Sequence, residues 1–279
     1  MGTADWTAAV KKRKRQKLST RKSKAEEQNK NEVKSSSSKI KSQGRKKNEI
    51  EAKASKEQRN DTVQFATAFQ QLEFFIHQYQ SCNGVQLSSL ELDSLKEAGF
   101  IELCQGPSRN TDSNLGEHMK VAFGSLWKDV LCEKYIQEGK LDPGNPALLV
   151  ISLSAIRSLE LLRELRPLTK DCHAAKLFSK HMKVEEQVSM LKNRVNVASG
   201  TPSRIKKLID MEALGLSRLA VVVLDMHTDV KGYSLFTLPQ VRNEFWDLYE
   251  SFLHQPLLNG DLRICLYGPV PSVSEGKNK

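Results

Sequence analysis

Two short stretches of the chain carry side chains whose types and spacing could do chemistry. The first is Gly200-Thr201-Pro202-Ser203-Arg204, with Lys206 and Lys207 close behind. The second is Asp225-Met226-His227, at the end of the apolar run Leu219-Ala220-Val221-Val222-Val223-Leu224. Thr201 is suited to cap a helix and Pro202 to be its first residue. The orphan amides and dipole at a helix start favour a phosphate, and Lys206 and Lys207 would add to a positive patch there. Equally, Thr-Pro could simply start a helix and leave Arg204 in solvent. Asp225, at a strand end, could help hold Mg²⁺ or could bond neighbouring backbone amides. His227 is open in the same way, as a base at the sheet edge or as a surface or packed histidine. Phosphoryl transfer from ATP also needs a phosphate-cradling Gly-x-x-x-x-Gly-Lys-Ser/Thr loop. That pattern is missing from the sequence; Gly139-Lys140 runs on into Leu141.

The elements that must position these groups follow from apolar spacing. The Val-rich run before Asp225 is too short for a buried helix and suits a strand covered on both sides. Ligands of open α/β sheets bind at the carboxyl ends of such strands. Ile205, Leu208 and Ile209 share one face of the helix that starts at Pro202. Around this pair the chain alternates. Residues 147–152 read as a strand, 154–165 as a helix buried through Ala155, Leu159 and Leu162, and 174–179 as a strand. A helix through Val184, Val188 and Leu191 follows, then a strand over 195–199. Beyond Asp225, Thr237 and Pro239 open a helix with the stripe Val241, Phe245, Leu248 and Phe252, and 262–267 form a last strand. Strands alternating with helices predict a parallel sheet with helices on both faces over residues 145–270, leaving 271–279 frayed. Residues 61–140 read as a helical segment on or beside that core. Phe65, Phe69, Leu72 and Ile76 predict an amphipathic helix over 62–80. A turn at Asn83-Gly84 precedes a helical stretch through Leu90 and Leu95. Leu115, Met119, Ala122, Leu126 and Val130 predict another helix.

Charge is unevenly placed in this 279-residue chain of net charge +10. Residues 1–60 hold 19 basic and 7 acidic side chains, against 24 and 26 in the remainder. The tail is too poor in apolar residues to offset its ordering entropy and reads as disordered. Its cluster Lys11-Lys12-Arg13-Lys14-Arg15 with Lys17, and later Arg45-Lys46-Lys47, is of nuclear-localisation or nucleic-acid-binding type; a merely solubilising tail is the alternative. Five scattered cysteines, with no Cys-x-x-Cys pair, read as reduced thiols packed mostly in the core. His77, His118, His173, His181 and His254 form no ligand pair at i, i+4, so no metal site is expected. No apolar run approaches the roughly 18 residues of a membrane span, and the N-terminus lacks the apolar segment of a secretory signal.

The turn and the strand end together resemble the DEAD-box RNA helicases, where a Thr-Pro-Gly-Arg turn is followed by a strand ending Val-Leu-Asp-Glu-Ala-Asp. Here the positions hold Thr201-Pro202-Ser203-Arg204 and Val223-Leu224-Asp225-Met226-His227-Thr228. The resemblance covers roughly residues 145–270 and implies a single RecA-like α/β domain. It further implies RNA-backbone contacts at Thr201 and Arg204, supported by Lys206 and Lys207, and a degenerate nucleotide site at Asp225. Met226 replaces the Glu that organises the attacking water, and Gly268-Pro269 stands where a Ser-Ala-Thr motif should be. No cofactor and no ATPase or helicase activity is expected. A basic tail, a helical segment and a half-helicase with a ruined ATP site are similar to the Cms-type ribosomal small-subunit homologues. Ser154-Ala155-Ile156-Arg157-Ser158-Leu159-Glu160-Leu161 and Lys176-Leu177-Phe178-Ser179-Lys180-His181 carry that resemblance beside the turn. It implies a nucleolar, non-catalytic scaffold of the early 90S pre-ribosome, monomeric within a large complex, with pre-rRNA and small-subunit assembly factors as partners. Two other classes stay open: an α/β enzyme with another cofactor at the sheet edge, and a purely protein-binding module.

Overall fold

Five short runs of the sequence, two of them dominated by Val and Leu, become strands. These are β1 (Leu148–Ile151), β2 (Ala175–Leu177), β3 (Val197–Gly200), β4 (Val221–Asp225) and β5 (Arg263–Tyr267). In this computed structural model they form one parallel sheet in the order β2-β3-β1-β4-β5. The structure describes residues 65–103, 114–132, 142–169 and 174–271, all within one compact unit, Asn60–Lys279. The basic tail with Lys11, Lys12, Arg13, Lys14, Arg15 and Lys17, the cysteines Cys104 and Cys172, and the residues expected to fray at 272–279 lie outside the described residues.

The helices are α1 (Ala68–Asn83), α2 (Ser89–Ser94), α3 (Leu115–Phe123), α4 (Trp127–Leu131), α5 (Ala155–Glu164), α6 (Val184–Leu191), α7 (Pro202–Asp210), α8 (Pro239–Leu248) and α9 (His254–Asn259). Successive strand residues point to opposite faces, so the sheet feeds two cores. Leu149, Ile151, Val222 and Leu224 pack with Phe74, Phe75, Ile205, Leu208 and Phe245. Leu148, Val150, Val221 and Val223 pack with Leu115, Met119, Leu161 and Leu162 on the other side. Every residue of β1 and β4 is therefore buried, and this is why the runs read as continuous rather than alternating. The single parallel sheet with helices on both faces is the architecture expected.

Several faces differ from the apolar spacing. The first helix begins at Ala68, capped by Thr67, whose Oγ1 accepts from Gln70 N at 3.2 Å while Gln70 Oε1 accepts from Thr67 N at 2.9 Å. Its buried residues are Gln71, Phe74 and Phe75, and Phe69 is 49 % exposed. Aromatic packing sets this face: the Phe75 ring lies 5.6 Å from Phe100 and 5.1 Å from both Trp246 and Tyr249. Gln71 is polar on that face because it closes the edge of β5. It accepts from Leu266 N at 2.9 Å and donates to Ile101 O at 2.9 Å, while Ile101 N donates to Ile264 O at 2.8 Å. In the second helix Leu90 is 82 % exposed, and Leu95, just past its end, is buried.

The single helix expected from Leu115 to Val130 is broken at Gly124, whose φ of +61° ends α3; a 3₁₀ turn and α4 follow. On α5 the buried side chains are Ser158, Leu161 and Leu162 rather than Ala155 and Leu159. After α8 a π-helical turn, Tyr249–Leu253, brings Tyr249 and Leu253 into the core and leaves Phe252 only partly buried. No helix among the described residues is long and apolar enough to cross a membrane.

Candidate functional site

The carboxyl ends of the strands gather the groups singled out in the sequence. Asp225 ends β4 and its side chain is 0 % exposed. Its carboxylate bonds side chains, not the backbone amides that were the alternative to metal. Ser154 caps α5, accepting from Arg157 N at 3.3 Å, which sets Arg157 in the first helical turn beside the end of β4. Arg157 Nε donates to Asp225 Oδ2 at 2.9 Å and Nη2 to Oδ1 at 3.2 Å, a forked pairing that only a guanidinium makes. Its Nη1 donates to Glu160 Oε2 at 3.1 Å. His227 shares the same carboxylate oxygen, its Nδ1 lying 2.9 Å from Asp225 Oδ1 and 3.0 Å from Arg157 Nη2.

The histidine ring is seated from several directions. Tyr267 lies 5.7 Å away, centroid to centroid. Gly268, at φ +123°, passes so close that a Cβ there would meet ring atoms Cε1 and Nδ1 at 3.0 Å. Tyr267 in turn donates its hydroxyl to Glu164 Oε2 at 2.8 Å. Burial first, then that hydrogen bond and the charge of Glu164, raises the pKa of Tyr267 and keeps it a donor. For Arg157, burial opposes the charge, but the hydrogen bond and charge of Asp225, then Glu160 and Glu164, outweigh it and raise its pKa. The cluster is thus acid-rich, with the Arg157 guanidinium engaged through all three of its nitrogens. A Mg²⁺-nucleotide does not fit it. Both Asp225 oxygens are spoken for, the carboxylate has no exposed surface for the waters Mg²⁺ keeps, and no uncommitted cation of the cluster faces a phosphate.

The turn after β3 is built differently. Gly200 is required by close approach, since a Cβ there would run into the Leu177 carbonyl of β2, and Thr201 N donates to that same carbonyl at 3.1 Å. Thr201 occupies the N-cap position of α7, as expected, but its side chain makes no capping hydrogen bond. Arg204 points back to the sheet edge, where Nη1 donates to Gln187 Oε1 at 2.7 Å and to Met182 O at 3.4 Å. Gln187, buried on α6, donates to Lys176 O at 2.8 Å and Phe178 O at 2.9 Å. So Arg204 and Gln187 together cap the edge of β2 and fasten the turn Ser179–Met182, an arrangement unlike the solvated Arg204 that was the alternative. Lys206 Nζ lies 3.4 Å from Asp210 and 3.6 Å from Asp247, over the Phe252 ring. Ser203 is exposed, as are Lys180, His181 and Lys183 on the turn that Arg204 holds. No group of three or more His, Cys, Asp or Glu able to hold a metal occurs among the described residues.

A family model described as "CMS1: U3-containing 90S pre-ribosomal complex subunit" matches residues 7–267. The chain belongs to this CMS1 family. Protein CMSS1 of Homo sapiens is 36 % identical over 150 residues, 52 % of this chain and 53 % of that protein. Protein CMSS1 of Xenopus laevis is 33 % identical over 141 residues, 49 % of this chain and 51 % of that one. The chain thus spans about half the length of these curated CMS1-family relatives. Among solved structures it is similar to a DEAD box protein from the hyperthermophile Methanococcus jannaschii, 17 % identical with a TM-score of 0.34, over 69 % of this chain and 51 % of that chain.

Three residues that build these contacts were not singled out from the sequence. Arg157 lies inside the Ser154–Leu161 stretch, but its pairing spans 68 positions and no local pattern announces it. Gln187 and Gln71 did leave a trace: each is a polar residue placed where the helix turns its buried face inward.

Proposed function

We propose that this chain is a non-catalytic RNA- and protein-binding scaffold of small-subunit assembly, working in the nucleolus on pre-rRNA with other assembly factors. The observation that supports the non-catalytic half is the engagement of both Asp225 oxygens by Arg157 and His227 in a carboxylate with no exposed surface, which commits it to the cluster. Membership of a family described as a 90S pre-ribosomal complex subunit supports the setting. The basic tail supplies import through Lys11–Lys17 and sequence-independent phosphate neutralisation.

On the RecA-like body, the RNA-facing groups in this reading are Thr201, Ser203 and Lys207 at the start of α7, with Lys180 and Lys183 on the neighbouring turn. Arg204 acts by holding that turn in place, and Lys206 is largely neutralised by Asp210 and Asp247. Fluorescence anisotropy of a single-stranded RNA probe against the full chain tests this. Reversing Lys180, Lys183 and Lys207 to Glu is expected to weaken binding and to flatten the salt dependence by about two units of slope, near 0.7 for each phosphate no longer neutralised. Unchanged affinity and slope would refute the body's part in RNA binding. Mg²⁺-dependent ATP turnover lost on Asp225→Ala would refute the non-catalytic half.

A further inference from the structure

Of the exposed large hydrophobic side chains among the described residues, two are aromatic, Phe69 at 49 % and Tyr233 at 40 %. Phe69 lies on α1, whereas Tyr233 stands in the loop that joins the carboxyl end of β4 to the start of α8. The fold holds Tyr233 by its backbone. Asp229 Oδ1 accepts from Lys231 N at 2.8 Å and from Tyr233 N at 2.9 Å, and Asp229 N donates to Tyr233 O at 2.7 Å. Just beyond it, Ser234, Leu235 and Phe236 are buried, and Ser234 N donates to Thr237 Oγ1 at 2.7 Å. The side chain itself is left unused: among the described residues its hydroxyl has no hydrogen-bond partner and its ring no ring contact. A ring offered on a pinned backbone needs little further ordering when a ligand arrives.

The loop adjoins the basic surface assigned above to RNA. The strands that lead into α7 and α8 are two places apart in the sheet, roughly 10 Å at the usual spacing. The two helices then lie side by side, with Ser203, Lys206 and Lys207 of α7 lining one groove with Glu244 and Asp247 of α8. Lys231, two residues from Tyr233, is exposed. Lysines on the phosphates and an aromatic ring under a base are the means by which proteins hold unpaired strands. Duplex RNA has its bases already stacked and offers this ring none. We infer that Tyr233 stacks on an unpaired base, so that this surface selects single-stranded over duplex RNA. This rests on the RNA-binding reading of the α7 surface. Val230, in the same loop and 103 % exposed, serves as its control, since an aliphatic tip fits a protein pocket and not a base.

The test is anisotropy at fixed salt with the full chain and three probes: one RNA strand, its blunt duplex, and an abasic strand of equal length. Tyr233→Ala should weaken binding of the single strand about fivefold to tenfold, the lower range for one stacked base. Binding of the duplex and of the abasic strand should not change. Tyr233→Phe, which keeps the ring, should match the wild type, and Val230→Ser should leave all three affinities alone. Equal losses on all three probes, or a phenylalanine variant as weak as the alanine one, overturn the inference. So does a loss in Val230→Ser as large as that in Tyr233→Ala, which would mark the loop as a protein-type contact. If Tyr233→Ala is silent while reversal of Lys180, Lys183 and Lys207 weakens binding, only the role of Tyr233 fails. If the lysine reversal is also silent, the underlying surface reading fails with it.

Discussion

Replacing Arg157 with Met keeps length and apolar stem while removing the cation that answers Asp225. The carboxylate, fully buried, loses two of its three side-chain bonds and keeps only His227. Breaking a buried pair by deleting one partner costs about 3–5 kcal/mol. Arg157 is 22 % exposed, so water can enter the vacated space, and the lower end, about 3 kcal/mol, is expected. For a domain of this size that is a fall in Tm of roughly 6–12 °C. Urea unfolding followed by circular dichroism is the assay, with a lower midpoint at an unchanged m-value. The sign of the pH dependence follows from the raised pKa of Arg157. Its stabilisation is fully present below the ordinary arginine value and is lost only as pH climbs through the still higher folded-state value, so its contribution stays flat through neutral and mildly alkaline pH. In the double variant with Asp225→Asn much of the loss should return, as a coupling of about 1–3 kcal/mol. A cost below about 1 kcal/mol, the behaviour of a surface pair, would refute the reasoning that Asp225 depends on this guanidinium.

Gly200→Ala should destabilise the chain by about 1–3 kcal/mol in the same urea assay, because its methyl meets the Leu177 carbonyl and pries β2 from β3. Gln187→Leu leaves the carbonyls of Lys176 and Phe178 and the Arg204 guanidinium without the partner they share, and about 2–4 kcal/mol is expected. Arg204→Ala, which leaves both Gln187 bonds to β2 in place, should cost about half as much, and the reverse ranking would show that Arg204 and not Gln187 holds the edge. The Cys265 thiol is pushed up to about 12 by burial, so its reactive thiolate is suppressed at neutral pH. Iodoacetamide near pH 8, followed by peptide mapping, should modify the partly exposed Cys82 in the folded chain and Cys265 only in urea; equal rates would contradict the burial.

The sheet was legible because burial on both faces demands unbroken apolar runs, and each such run in 145–270 became a strand within a residue or two of its expected ends. Helix existence was legible for the same reason, but helix faces were less so. On and before α1 the spacing pointed to Phe65, Phe69, Leu72 and Ile76. Phe65, Leu72 and Ile76 do pack against the cores, partly buried, but Phe69 is exposed, and the cluster of Phe100, Trp246 and Tyr249 seats Phe74 and Phe75 deepest. A helix with apolar residues all round carries several stripes, and only its distant neighbours select one. Gly124 shows the opposite case, a break that its residue type allowed but that the flanking pattern concealed.

By itself, then, the sequence determined the order of strands and helices, the seat of Asp225 at a strand end and the start of a helix at Pro202, because each depends on residues within a turn or two. Tertiary structure alone decided what those groups meet. Asp225 is answered by an arginine 68 positions away and Arg204 by a glutamine 17 positions away. Such pairings arise when parallel strands bring separate loops to one edge, and the partner of a charged side chain is fixed by that juxtaposition, for which the linear spacing carries no code.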